Sequence, residues 1–469
     1  MSRKTKPNPK LNQLISEFEG PLRSLSPKQW TEKSFNKLIQ HYEVQGSISN
    51  ALEVVELAIQ YCKSKVSFYI IKARLLMAQF RFDEAMQTIQ VAEPFVSVHN
   101  MDLHLIHARL LALQKKEAEA LNLIEGLKCR FHKTELQEIY LVEAFIYESM
   151  KDFEKMFYTL KEVLTTNPNN SKALQQIWVS VEFSKKYEES VELHQKIIDI
   201  NPYSYLAWYN LGHAYSCLGE YEKALEALEY SFLINPRFEQ GYLDCAELSL
   251  QVGMYEKAYT CYEEANEMFG PDTELIAFMA ECLIKLRRFP DAKKLLKQSV
   301  HQDPYNDEVF FYLGECYTHE HNWQKALENF LEAISLDEYR EEFHAGAALA
   351  YENLGMLKKA ELHYGKAARI GQEQSQYWSD YIKFLIRREN YVKAKKVLDK
   401  ADKYSVGPDL VCCRIALLLQ SGSEREAHAL IEELLQDYPE QIHHLYGILP
   451  ELKEDRRILA MVRYFSYSE

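Results

Sequence analysis

The stretch "LAWYNLGHAYSCLGEYEKAL", Leu206 to Leu225, decides how the rest of the chain is read. Trp208, Gly212 and Tyr215 are separated by four and then three residues, which places them on one face of a helix. "LGEY" follows as a short turn, and Ala224 stands on a second helical pattern behind it. Bulky and small residues on facing helices let two backbones approach closely, so the stretch has the character of a helical hairpin. One such hairpin cannot bury its own faces, whereas stacked copies can.

The same offsets recur. With Ala224 as marker, its place is taken by Ala258, Ala292, Ala326, Ala360 and Ala394, each 34 residues on, and by Ala427 after 33. Backward it is taken by Ser190 and Met156 at 34 each, Ala120 at 36, Ala85 at 35 and Ala51 at 34. Sixteen residues before the marker stands a bulky side chain, as at Phe35, Tyr69, Tyr140, Tyr242, Phe310 and Trp378. Twelve before it is a small one, as at Ala73, Ala108, Ala246, Gly314 and Ala348. Twelve after it Pro appears at Pro168, Pro202, Pro236, Pro304 and Pro439 and ends the second helix, because Pro cannot continue one.

This pattern resembles the tetratricopeptide repeat (TPR), over residues 32–441. The units around 101–136 and 171–204 are degenerate, with His104 and Leu174 in place of the large aromatic. The expected fold is all-α: an α-α superhelix, or solenoid, of about twelve TPR hairpins. Residues 1–10 are expected to be a flexible basic tail and 11–31 a short helical segment. Residues 442–469 are expected to form a capping helix over the last repeat, on the pattern "ELKEDRRILAMVRYF". Leu11, Leu14, Ile15 and Phe18 form an amphipathic stripe, and "SPKQ" at Ser26–Gln29 has the form of a helix start. The N-terminal segment has two readings: it packs on the first repeat, or its Arg3, Lys4, Lys6 and Lys10 occupy the groove described below.

The composition excludes several classes. A chain of 469 residues exceeds one ordinary globular core, and its net charge of −14 opposes non-specific association with nucleic acid or an anionic membrane. No apolar run is long enough to span a bilayer, and no secretory signal pattern follows "MSRKTKPNPK", so a cytoplasmic location is expected. The nine Cys are expected to be reduced, with Cys217, Cys245, Cys261, Cys282 and Cys316 filling helix-packing positions. There is no phosphate-binding loop, dinucleotide fingerprint or nucleophile elbow. His319 and His321 point to different faces and read as solvated turn residues. No enzyme activity, cofactor or metal is expected.

The resemblance implies that the first helix of each unit lines a concave groove that holds a partner peptide or helix. Eleven residues before each of the first eleven markers, one inner position reads Gln40, Arg74, Arg109, Phe145, Val179, His213, Glu247, Glu281, Glu315, Leu349 and Lys383. Three successive Glu stand beside Tyr209, Leu243, Leu250, Ile284 and Phe311. Such a ladder selects a basic segment with apolar anchors, or else is a solvated face of an acidic protein. A clamp for acidic C-termini is disfavoured: Asn210 has only Gln176 and Asp244 at the matching places, without basic partners. The function expected is a protein-binding scaffold or adaptor. A regulatory subunit of an enzyme complex and an RNA-binding repeat are the alternatives.

Overall fold

The structure is a computed structural model that describes residues 9–19, 30–95, 100–131 and 135–466. Its described residues are helical throughout their regular structure, without strands. The chain divides into two compact units, Met1–Pro236 and Arg237–Glu469.

In the first unit a short helix α1 (Pro9–Glu19) precedes six hairpins. They are α2 (Glu32–Val44) with α3 (Ile48–Tyr61), α4 (Val66–Ala78) with α5 (Phe82–Ala92), and α6 (Met101–Leu113) with α7 (Glu117–Lys128). Then follow α8 (Leu136–Ser149) with α9 (Phe153–Thr166), α10 (Ser171–Ser184) with α11 (Tyr187–Ile200), and α12 (Tyr205–Cys217) with α13 (Tyr221–Ile234). The second unit also has six: α14 (Glu239–Gln251) with α15 (Tyr255–Phe269), α16 (Thr273–Lys285) with α17 (Phe289–Gln302), and α18 (Asp307–His319) with α19 (Trp323–Leu336). The last three are α20 (Glu341–Asn353) with α21 (Leu357–Ile370), α22 (Ser375–Arg387) with α23 (Tyr391–Ala401), and α24 (Pro408–Gln420) with α25 (Glu424–Asp437). Two short helices, α26 (Ile442–Ile448) and α27 (Arg456–Ser466), end the unit.

All twelve markers are buried, Met156 and Ser190 included, because each sits where its second helix meets the first helix of its own hairpin. Within each unit the first helices also pack on one another, as α4 on α6 and α16 on α18, which gives the stack one face made of first helices. Every intra-hairpin turn holds one residue at positive φ. Five of these are Gly, such as Gly219 at 77°; the other seven include Phe80, Lys185 and His321 at 56–60°. A side chain in that conformation costs roughly 1 kcal/mol, which packing of the hairpin offsets.

At the N-terminus the stripe Leu11, Leu14, Ile15 and Phe18 packs on the first hairpin. The Phe18 ring lies 5.9 Å from that of Tyr42, whose hydroxyl donates to Glu19 Oε1 at 2.8 Å. Arg3, Lys4, Lys6 and the "SPKQ" start lie outside the described residues. At the other end, the capping helix expected over residues 442–469 is divided into α26 and α27. Pro450 opens a 3-10 turn, and Asp455 then caps α27 by accepting from Arg457 N at 2.8 Å and Ile458 N at 3.2 Å. Leu449, Leu452 and Ile458 are buried with the core of the last repeats.

Candidate functional site

The inner face of the second unit carries a cavity of about 410 Å³. Helix α18 supplies Phe311 and Glu315, one turn apart on one face. Helix α20 supplies Glu342 and Leu349, and α22 supplies Asp380, Lys383 and Arg387. The floor is the ring of Phe330 from α19, which rises between α18 and α20. It fits there because Gly314 and Gly346 lack side chains: a Cβ on either would lie 2.6 Å from the ring.

The acidic groups of this groove are held in unfavourable surroundings. Burial pushes the Glu315 carboxyl up; Lys285 opposes the shift and the Glu281 charge adds to it. Glu281 itself accepts from the Tyr312 hydroxyl at 3.0 Å. Burial also raises Asp380, against the pull of Lys383 at 3.7 Å. Arg387 is committed elsewhere, to both oxygens of Glu352 at 3.0 and 2.9 Å. Glu352 in turn accepts from the Tyr364 hydroxyl at 2.8 Å.

Two tetratricopeptide repeat models match the sequence, one over residues 205–238 and one over 249–310. Together with twelve hairpins phased on buried markers, these matches decide the family. The chain is a tetratricopeptide repeat protein. Over 77 residues it is 29% identical to the coatomer subunit epsilon of Dictyostelium discoideum, a match covering 16% of this chain and 26% of that one. The chain therefore spans about a quarter of that relative's length. Among solved structures it is similar to YrrB, described as a TPR protein with an unusual peptide-binding site. The identity is 21%, over 40% of this chain and 96% of that one, with a TM-score of 0.32. It is also similar to yeast Tom70, at 13% identity, 90% and 92% coverage and a TM-score of 0.40. Protein–protein interaction on a scaffold is the general role that TPR repeats supply.

Of the TPR groove residues expected from the sequence, Phe311, Glu315 and Lys383 line the same cavity, as does Leu349. Glu281 stands beside it through its field on Glu315. Glu247 is exposed on α14, and with Glu281 it raises the pKa of Tyr262, which burial raises first. Leu243 is half-buried on the same helix. Ile284 is not a groove residue: it is buried in the core of its repeat.

Arg74, Arg109, Tyr209 and His213 belong to the first unit. Arg74 pairs with Glu43 at 2.6 Å. Arg109 is half-buried with its guanidinium 5.5 Å from the Phe145 ring centroid, and burial lowers its pKa. The His213 ring packs against Tyr209 at 4.5 Å and Trp178 at 4.8 Å. Asn210 is buried; its amide donates to Leu174 O at 2.8 Å and lies 3.3 Å from His194 Nε2. It has no surface left for a ligand.

Sequence reasoning missed Glu342, Asp380 and Arg387, because the inner positions it followed lie fifteen, eleven and eight residues before the marker, whereas these stand eighteen, fourteen and seven before theirs. The 3.6-residue period of each first helix brings further columns to the same face, and those offsets were the available signal. His319 is exposed at the end of α18, as expected, and there it borders the cavity and stacks on Phe289 at 4.3 Å. Sequence reasoning placed one residue wrongly. Cys217 is exposed, at the end of α12 where the neighbouring helix no longer covers it. Cys245, Cys261, Cys282 and Cys316 are buried. No helix among the described residues is long and apolar enough to cross a membrane.

Proposed function

We propose that the protein is an adaptor whose inner groove in the second unit holds a partner segment carrying a Lys or Arg beside an apolar side chain. The apolar side chain rests on Phe311 and Leu349, and the cation sits at Glu315 and Glu281. The observation that carries this reading is the Glu315 carboxyl, half-buried and shifted up by its burial with Glu281 close by. A ligand cation relieves that electrostatic cost, which water and Lys285 relieve only in part.

Fluorescence anisotropy with a labelled peptide of alternating Lys and Leu tests the proposal. The Glu281→Gln/Glu315→Gln variant is expected to bind about tenfold more weakly or worse, since a hydrogen bond to a charged group contributes about 1.5–3 kcal/mol. Affinity is also expected to fall as acidification protonates Glu315, starting above the ordinary carboxylate range. Equal affinity of wild type and variant, with both folded, means that the ladder is a solvated face and the reading is wrong.

A further inference from the structure

The two second helices α21 and α23 depart from the charge of the chain. They carry eight Lys or Arg side chains and only two carboxylates, Glu361 and Asp399, in a protein of net charge −14. Between them, outside the inner groove, lies a second cavity of about 490 Å³. Lys358 and Arg369 border it from α21, and Lys393 and Lys400 from α23, while Trp378 and Tyr381 of α22 form an aromatic wall. We propose that this outer groove is a second binding surface and that it takes a short acidic segment of a partner protein.

The charges there are poised rather than spent. Glu361 is the one carboxylate lining the cavity, and it is engaged by Lys393 and by the Tyr381 hydroxyl at 3.5 Å. Among the described residues Lys358, Arg369 and Lys400 have no carboxylate within ion-pair distance. Lys400 lies over the Trp378 ring, 5.5 Å from its centroid, and Arg369 spends only its Nε, on Gly365 O at 3.0 Å. Leu362 is 54% exposed on the same rim and offers an apolar contact.

The choice of occupant follows from range. A bilayer or a long nucleic acid meets the whole chain and its net charge of −14, which repels it. A short acidic segment lying in the groove feels the charges within about one Debye length, roughly 8 Å at physiological salt, and those that line it are four cations against Glu361. Helix α22 turns Trp378 and Tyr381 to this groove and Asp380 and Lys383 to the inner one, so both can be loaded at once.

The test uses the full chain and a fluorescein-labelled peptide of Glu and Asp with a central Leu, followed by anisotropy at physiological salt. Lys358→Glu/Lys400→Glu is expected to raise Kd by about tenfold or more, and Lys358→Gln/Lys400→Gln by less. The Glu281→Gln/Glu315→Gln variant is expected to leave this binding unchanged. Neither lysine is ion-paired, so unchanged circular dichroism is expected, with Tm lowered only slightly by loss of the Lys400 contact with Trp378; should the Glu variant misfold, the Gln variant decides. Equal affinity across all three variants overturns the proposal. So does tighter binding of phosphatidylserine vesicles or single-stranded DNA that is lost in the lysine variants, which assigns the groove to another polyanion.

Discussion

Two joints of the array use the same repeat position in opposite ways. Four residues after the marker, α19 places Phe330 between α18 and α20, and α11 places His194 between α10 and α12. In the first joint the ring fills space that Gly314 and Gly346 leave open. In the second the imidazole is fully buried and hydrogen-bonded on both nitrogens. Nδ1 lies 2.7 Å from Ser190 O, to which it donates, and Nε2 accepts from the Asn210 amide at 3.3 Å. That pattern fixes a neutral ring with its proton on Nδ1. The repeat thus specifies where a side chain must be buried without specifying its chemistry, provided that a polar one finds its partners.

The joints are expected to fail differently. The largest effect is at the apolar one: Phe330→Ala removes a ring enclosed by two helices and should cost about 3–5 kcal/mol. Urea unfolding with hydrogen exchange in α18–α20 measures it; protection there equal to wild type would mean that the helices close over the gap.

Acid should single out the polar joint. Burial pushes His194 down to about 4 from its ordinary 6.5. In that window the unfolded chain binds more protons than the folded one, so stability is full above pH 6.5 and lost as pH falls toward 4. The loss reaches about 3 kcal/mol, and His194→Phe should flatten it locally. Exchange must be read in α10–α12, because His363 in α21 is also pushed down to about 4, by its burial and then by His344. An unchanged profile in the variant would show that another group carries the acid sensitivity.

Asn210→Ala leaves His194 Nε2 and Leu174 O without their donor and should cost about 1–3 kcal/mol at neutral pH. A cost near zero would mean that water replaces the amide. The smallest effect lies at the turn. Lys185 closes the α10–α11 hairpin at φ 56°, and Lys185→Gly should stabilise it by up to about 1 kcal/mol, less the entropy Gly gives the unfolded chain. A fall in Tm would show that the lysine side chain contributes more than its backbone strain costs.

The joints also show what can be read in advance. The markers were legible because a crossing of two helices favours a small side chain, Ala or Ser at eleven of the twelve with Met156 as the exception, so the constraint repeats with the hairpin. Glu315 and Lys383 were legible as groove residues because inner positions share an offset from that marker. The partners of these residues were not. Arg74 pairs with Glu43, and Arg387 with Glu352, across 31 and 35 residues. Such pairs join neighbouring repeats and leave no trace in the pattern of either one.

The sequence by itself determined the helical hairpin, its phase, the twelve buried markers and the side of each first helix that is left uncovered. Helical period and the small residue at all but one crossing suffice for that, since both are local. Only the tertiary structure decided which charges are spent and which remain available. Arg387 is neutralised by the preceding repeat, Glu315 is raised by burial beside Glu281, and Lys358 and Lys400 on the outer groove have no ion-pair partner among the described residues. Electrostatic energy depends on distances and burial between side chains that are remote along the chain, and stacking alone sets those.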